Sequence, residues 1–169
     1  VPLMARMHID ELEIDEALVR GLLAGQFPEW VDRPLSRVEP AGTDNAIFRL
    51  GDELSLRISR RKGPTEAGGK ELDWLPTLAP MLPLQIPVPV AQGGPTRGYP
   101  WFWDVYTWVE GETAPIEEID AIQAARDLAA FVAALQHVDP TGASPVRGIP
   151  LAERAEGMVH FFFNFTATP

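Results

Sequence analysis

A short turn and two charged residues are the first candidates for chemistry in this sequence. Residues 40–45 (PAGTDN) are of turn-forming types, and a turn that combines glycine with Asp and Asn can present backbone N–H groups to an anion. Arg57 follows on a strand-like segment, and Glu71 follows on a helical one. By residue type alone, an ordinary hairpin connection is the better explanation of the turn, because one glycine in a loop is far weaker than a phosphate-binding fingerprint. The two charges likewise fit solvated side chains of a strand and a helix.

The composition excludes several kinds of site. The sequence contains no cysteine, which rules out disulfides, thiolate metal sites and a cysteine nucleophile. His8, His137 and His160 are scattered without metal-ligand spacing. The net charge of -10 disfavours nucleic acid as a partner, because phosphate contacts need many Lys and Arg side chains. An acidic surface would suit a polycationic small molecule, but a solvated surface that keeps the protein soluble is the simpler explanation.

The sequence also carries no membrane or secretion signal. No apolar run approaches the roughly 18 residues of a membrane-spanning helix, and the N-terminal residues lack the apolar stretch of a secretory signal. We therefore expect a cytoplasmic protein without a membrane partner, which the lack of cysteine also fits.

The first part of the chain is predicted to form one helix and three strands. Residues 14–26 carry apolar side chains at helical spacing, with Asp15 as the N-cap. Three strand-like segments follow at residues 35–39, 46–50 and 54–58. The last of these alternates between apolar and polar residues, which places one set on a core face and the other on the opposite face: Leu54, Leu56 and Ile58 against Ser55 and Arg57.

The next part is predicted to contain two helices and two strands. Residues 65–78 and, over a longer stretch, residues 116–137 carry apolar stripes at helical spacing. Closely spaced prolines exclude a helix between them, but residues 88–91 favour a short strand that ends in a turn at 93–95. Aromatic and β-branched residues favour a further strand over 101–109.

Several blocks of sequence, in this order and spacing, resemble the aminoglycoside phosphotransferase and choline-kinase-like family. No single block is specific, and the resemblance extends over roughly residues 10–155. The blocks are residues 41–52 (AGTDNAIFRLGD), 56–61 (LRISRR), 70–76 (KELDWLP), 98–112 (GYPWFWDVYTWVEGE) and 127–139 (DLAAFVAALQHVD).

The resemblance implies an α+β, protein-kinase-like fold. Residues 1–109 would form a kinase-like N-lobe, an antiparallel five-stranded sheet with a crossing helix. Residues 110–169 would form the hinge exit and an incomplete helical C-lobe with an atypical Phe-rich tail.

The family phosphorylates a hydroxyl of a small molecule with ATP and Mg2+, and the resemblance implies a phosphate site here. Arg57 would hold the α- and β-phosphates while paired to Glu71. The wider superfamily usually has lysine at the position of Arg57, but a guanidinium fork also suits phosphate. The backbone N–H groups of four turn residues would cradle phosphate: Gly42, Thr43, Asp44 and Asn45.

The resemblance also implies an adenine-binding hinge. Tyr106 would occupy the gatekeeper position, and the Thr107 carbonyl and the Val109 N–H would bind adenine. The alternative is a buried edge strand whose aromatic residues only pack. For Trp101, Trp103 and Trp108, core packing is the interpretation we favour.

The family's catalytic residues have no match in this sequence. Relatives carry a His-Gly-Asp loop with an Asn five residues after the Asp, whereas His160 is followed by FFFNF. Residues 158–169 also depart from the family pattern. We therefore expect a truncated phosphotransferase that contains no catalytic and no metal-binding residue of its own.

Two functions of different kinds remain open for the chain. It is either this truncated ATP-dependent phosphotransferase, whose full-length relatives bind a nucleotide and a small-molecule hydroxyl substrate, or a non-catalytic interaction module that uses a kinase N-lobe. In both cases the apolar stripe of the helix at 116–137 would lack part of its cover. We therefore expect a homo-oligomer, a dimer or larger, that covers this surface. The sequence does not indicate the acceptor.

Overall fold

A five-stranded antiparallel sheet is the centre of the fold. Its strands lie in the order β1-β2-β3-β5-β4, and every neighbouring pair is antiparallel. This confirms the predicted α+β class and the five-stranded sheet. The strands are β1 (Leu35–Arg37), β2 (Asn45–Leu50), β3 (Leu54–Ser59), β4 (Pro89–Gly93) and β5 (Trp103–Thr107).

Among the described residues, three α-helices accompany the sheet: α1 (Glu16–Gln26), α2 (Gly68–Leu78) and α3 (Ala121–Gln136). The predicted N-cap of α1 is confirmed, because the Asp15 carboxylate accepts a hydrogen bond from the Leu18 N–H at 2.8 Å. Single 3-10 turns follow α1 and α2, at Pro28–Trp30 and Ala79–Met81. None of the helices in the described segments is long and apolar enough to cross a membrane.

The structure is a computed structural model, and by its internal contacts the chain divides into two units, residues 1–136 and 137–169. All the elements above belong to the first unit. The lobe boundary predicted after residue 109 stays a prediction. The residues that the structure describes are 11–39, 44–61, 68–111, 119–139 and 141.

The core lies between α1 and one face of the sheet. Along β2 and β3, buried and half-buried residues alternate, as predicted for β3. The buried set belongs to one cluster with the stripe of α1, and among the described residues the buried class contains no charged side chain. The main members of the cluster are Val19, Leu22, Leu23, Phe48, Leu50, Leu56, Ile58, Trp103 and Val105.

Gly93 is required by the packing of Trp103 on this core face. The two residues are cross-strand partners of β4 and β5. A Cβ added at Gly93 would lie 2.0 Å from Cε2 of the Trp103 ring. Only a residue without a side chain lets the buried indole lie against the neighbouring strand.

Several predicted boundaries were wrong. The helix predicted from residue 116 begins at Ala121, because the Asp120 carboxylate caps it by accepting hydrogen bonds from the N–H groups of Ile122 and Gln123, both at 3.0 Å. The turn predicted at 93–95 lies at 96–99, where Thr96 and Tyr99 exchange backbone hydrogen bonds.

The strands also differ in length from the prediction. The strand predicted over 101–109 is limited to β5, and the one predicted over 35–39 ends at Arg37, while β4 runs two residues beyond the predicted end at residue 91. Predictions for residues 40–43, 65–67 and 116–118 lie outside the described residues.

Candidate functional site

A cleft of about 570 Å³ opens on the face of the sheet opposite the core. Its walls come from β2, β3, α2, the segment after α2, the end of β5 and α3. The volume lies in the range of small-molecule sites. Five of the predicted site residues line it: Arg57, Glu71, Tyr106, Thr107 and Val109.

An ion pair lies within this cleft. Arg57 of β3 donates from Nη1 to Oε2 of Glu71 on α2, at 2.8 Å. The side chains are 42% and 45% exposed, respectively, so solvent screens the pair and its contribution to stability is at most about 1 kcal/mol. The geometry suits the binding of an anion, because most of the guanidinium fork is left for another partner.

Tyr106 of β5 joins the same carboxylate. Its hydroxyl donates to Oε2 of Glu71 at 2.7 Å, so one oxygen accepts from both Arg57 and Tyr106. Burial, and then the hydrogen bond to Glu71, raise the pKa of the Tyr106 hydroxyl well above its usual range. The hydroxyl therefore keeps its proton and remains a donor over the physiological pH range.

Asp104 places a second carboxylate beside Arg57. Arg57 is the cross-strand partner of Ile47 on β2 and of Asp104 on β5. Asp104 accepts a hydrogen bond from Nε2 of Gln92 at 2.8 Å. Burial raises the pKa of Asp104, although the Gln92 hydrogen bond and the Arg57 charge oppose this shift. One cation therefore lies near two acidic groups on this face.

The end of β5 forms one end of the cleft. The Thr107 N–H donates to the Val88 carbonyl at 2.8 Å, and the Thr107 hydroxyl accepts from the Val88 N–H at 2.9 Å. The next N–H, of Trp108, donates to the Glu53 carbonyl at 2.7 Å. Thr107 is thus tied to the segment before β4 and Trp108 to the turn before β3. These bonds hold the segment that continues into Val109.

Trp108 corrects one prediction, since it lines the cleft and is not a member of the core cluster. The Arg49 guanidinium lies 4.9 Å from the centre of its ring, within the range of a cation–π contact. Arg49 also forms an ion pair with Glu110. Trp108 therefore contacts Arg49 and the cleft, and does not pack in the core. Trp103 does pack in the core, and Trp101 packs against it, as predicted.

The predicted phosphate turn is only partly described. Asp44 binds Arg61, with 2.7 Å between Oδ1 and Nη2, and the Asn45 side chain accepts from the Ser59 hydroxyl at 3.0 Å. Neither residue lines the cleft. Gly42 and Thr43 lie outside the described residues, so a role of the turn in phosphate binding stays a prediction.

The remaining cleft residues were not predicted as site residues. For Ile47 and Ser55 a signal existed, because strand alternation places both on the same face as Arg57. For the apolar residues no such signal existed, since leucines of helical stripes look alike whether they face a core or a cleft. The unpredicted apolar members are Leu75, Leu78, Leu82, Ile86, Pro87, Phe131 and Leu135.

Metal-ligating clusters are not found in the described part of the chain. No group of three His, Cys, Asp or Glu side chains there could hold an ion. His160 and residues 158–169, which the sequence set apart from the family pattern, lie outside that part.

This fold and cleft define a class of protein. A five-stranded antiparallel sheet, a helix whose carboxylate pairs with a cation on the third strand, and a cleft that ends at the last residues of β5 together match a kinase-like fold. The profile of the phosphotransferase enzyme family (APH) matches residues 37–158, well over half of the chain. The chain belongs to this family. No curated protein matched it.

Solved structures of aminoglycoside phosphotransferases share the fold. The GDP complex of aminoglycoside 2'-phosphotransferase-IIIa is 19% identical over 75% of this chain and 43% of that one, with a TM-score of 0.62. ADP-bound APH(2'')-Ib is 18% identical over 75% of this chain and 41% of that one, with a TM-score of 0.53.

A third similar structure is the streptomycin–ATP–APH(2'')-IIa ternary complex, 16% identical over 76% of this chain and 42% of that one, with a TM-score of 0.52. The chain thus spans less than half the length of these proteins. Identities this low establish the common fold, and the ligands named are those of the solved proteins.

Proposed function

We propose that this chain forms the nucleotide-binding part of a phosphotransferase that transfers the γ-phosphoryl group of ATP to a hydroxyl of a small molecule. The observation that carries the proposal is that the Arg57–Glu71 pair and the end of β5 line one cleft. A kinase-like site needs both a cation for the phosphates and a backbone edge for the base.

The distance along β3 between the end of β5 and Arg57 supports one place for the base and another for the phosphates. Leu54 is the cross-strand partner of Thr107, and Arg57 lies three residues further along the strand, about 10 Å at the usual rise per residue. A nucleotide whose base lies at the end of β5 would therefore extend its phosphates toward Arg57. In this proposal Thr107 and Val109 bind the base, Glu71 orients Arg57, and residues 42–45 bind phosphate with their N–H groups.

ATP is the nucleotide that we propose, with GTP as the competitor to be tested. The solved relatives were obtained with GDP, ADP and ATP, which supports a purine nucleotide. Magnesium would arrive with the nucleotide, where it neutralises charge on the phosphate oxygens. We assign it no ligand, since the described residues contain no metal-binding cluster.

The same proposal includes the acceptor, the second lobe and the cellular location. Relatives were solved with kanamycin, streptomycin and gentamicin, and the net charge of -10 would attract a polycationic acceptor of that kind. In the longer relatives a second lobe would complete the site, with the boundary near residue 110. A cytoplasmic location follows from the use of ATP.

The second candidate function is an interaction module, and the exposed face of α3 favours it. Ile122 is 67% exposed and Leu128 is 60% exposed, and Val132 and Leu135 are also exposed. Apolar surface of this kind is usually covered by another chain or domain.

We expect a second copy of the chain to cover this face, so that the protein is a homo-oligomer at micromolar concentration. Light scattering tests this, and a monomer would contradict the expected oligomer.

Calorimetric titration with ATP and Mg2+ tests the leading proposal. We expect saturable binding that Arg57→Ala weakens about 10- to 100-fold, because a charge-assisted hydrogen bond to phosphate is lost. Arg33→Ala is the matched control, since Arg33 is 37% exposed and pairs with Glu53 outside the cleft. Absence of binding at millimolar ATP, or equal loss in both variants, would reject the proposal and leave the interaction module.

A further inference from the structure

Three elements of the fold meet at one carboxylate oxygen in the cleft. Oε2 of Glu71 accepts from Arg57 on β3 at 2.8 Å and from Tyr106 on β5 at 2.7 Å. The residues are 14 and 35 positions apart from Glu71 along the chain. A single oxygen therefore connects the strand that carries the cation, the strand that leads to the end of the cleft, and α2.

The rest of α2 does little to fix this carboxylate. From Glu71 to Leu78 the helix contains no fully buried residue, so no deeply packed side chain in this stretch anchors Glu71 against the sheet. The Arg57–Glu71 pair is itself about two-fifths exposed, and an ion pair of that kind does not by itself hold two long side chains in one geometry. A second, better-ordered anchor is needed to fix the carboxylate.

Tyr106 has the properties of such an anchor. The residue is only 6% exposed, and its rigid ring is held at the end of β5 beside the paired strand β3. Its hydroxyl can point at Glu71 without the entropy loss of a long flexible chain. Burial of its ring keeps the hydroxyl protonated, so it donates at every pH at which the protein would work.

We propose that Tyr106 is a positioning residue for phosphate binding: its hydroxyl holds the Glu71 carboxylate, which in turn orients the Arg57 guanidinium toward the nucleotide phosphates. This inference rests on the proposed function. It assigns to the Tyr106 hydroxyl a role separate from any contact of its ring with the base, and it couples the two ends of the cleft through one hydrogen bond.

The test compares ligands with and without phosphates in Tyr106→Phe, which keeps the ring and removes only the hydroxyl. We expect the dissociation constants for ATP and for tripolyphosphate to rise about three- to ten-fold, the effect of one ordinary hydrogen bond, because the hydroxyl acts on the phosphates only through Glu71 and Arg57. The constant for adenosine should change by less than about two-fold. In a Glu71→Ala background, Tyr106→Phe should have no further effect on ATP, because the two residues act as one unit.

Tyr99→Phe is the matched control. The Tyr99 hydroxyl is also buried and donates to the Ser59 carbonyl at 3.1 Å, but Tyr99 does not line the cleft. We expect it to change neither the ATP nor the adenosine constant by more than about two-fold. A purely structural role of Tyr106 would instead weaken adenosine and ATP binding together, and that result would overturn the inference.

A second measurement separates this inference from the proposed function. Nitrogen-15 relaxation of the Arg57 Nε–H group, recorded without nucleotide, should show a more mobile guanidinium in Tyr106→Phe than in the wild type or Tyr99→Phe. If the wild type bound neither ATP nor adenosine, the proposed function would fail while this coupling could still be seen. Equal mobility of Arg57 in all three proteins, or unchanged ATP binding in Tyr106→Phe, would overturn the inference.

Discussion

The two faces of the sheet differ although the same strands build both. On the core face of β3, Leu54, Leu56 and Ile58 are buried and belong to one apolar cluster with the buried residues of α1. On the other face, Ser55 and Arg57 line an open cleft. Neighbouring residues in the sequence therefore have opposite surroundings, because successive side chains of a strand point to opposite faces.

The comparison separates the residues that stabilise the fold from those of the proposed nucleotide site. The core face buries apolar area, which is the main source of folding free energy. The cleft face holds exposed or half-buried polar groups such as Arg57 and Glu71, which contribute little to stability. Substitutions on the core face should therefore affect folding, and those on the cleft face should affect ligands.

The largest expected effect is that of Leu56→Ala on the core face. Leu56 is fully buried, so the change should lower the free energy of unfolding by about 2–5 kcal/mol, measured by urea denaturation. Its neighbour Ser55→Ala, on the cleft face, should change the same quantity by less than about 0.5 kcal/mol. Similar losses in the two variants would break the contrast between the faces.

A second test adds volume to the core face. Gly93→Ala would place a Cβ 2.0 Å from the ring of the buried Trp103, and we expect a loss of about 1–3 kcal/mol in the free energy of unfolding. At Gly94 the nearest atom would be Oε1 of Gln26 at 3.9 Å, so Gly94→Ala should be tolerated. Denaturant unfolding of the two variants measures this difference. Equal free energies of unfolding would contradict the close packing of Trp103 against Gly93.

A third test concerns the helix that covers the core face. Asp15→Ala removes the cap of α1 and should cost about 1 kcal/mol, seen as a fall of roughly 2–4 °C in Tm for a domain of this size. Asp15→Asn keeps an oxygen acceptor and should retain most of the stability. If both variants melted alike, the hydrogen bond to Leu18 would not be the source of the effect.

The smallest expected effect is that of a substitution at Asp104 on the cleft face, which should raise the stability of the protein where the three changes above lower it. Burial raises the pKa of Asp104, so the folded state holds its proton more tightly than the unfolded chain. Ionised Asp104 therefore destabilises the fold above its folded-state pKa, and this cost disappears as the pH falls through that pKa. Asp104→Asn should stabilise the protein at pH 7 by less than about 0.5 kcal/mol.

The pH dependence of melting checks this last prediction. The Tm difference between Asp104→Asn and the wild type should be positive at pH 7 and shrink toward zero in acid. The control is Asp139→Asn, because hydrogen bonds from Thr141 lower the pKa of that exposed carboxyl. Ionised Asp139 therefore contributes stability that is lost as the pH falls, which is the opposite of the behaviour expected for Asp104. A negative difference at pH 7 would show that attraction to Arg57 outweighs the burial of Asp104.

The sequence predicted which helices and strands exist better than it predicted the residues at which they begin and end. All five strands and the three helices exist where periodicity or composition placed them, because these patterns reflect the local geometry of the chain. The ends depended on single side chains, and the Asp120 cap, which starts α3 five residues later than predicted, was missed. The site residues that line the cleft came from the family resemblance, since Arg57 and Glu71 look like ordinary surface charges by type.

By itself the sequence determined which face each residue of β2 and β3 occupies, that Asp15 caps α1, and that disulfides are excluded. Only the tertiary structure decided that the hydroxyl of Tyr106 donates to the same Glu71 oxygen as Arg57. It also decided that Trp108 contacts Arg49 and lies away from the core, and that Phe131 of α3 lines the cleft. Alternation and capping depend on neighbours in the chain, whereas these contacts depend on how distant elements pack together.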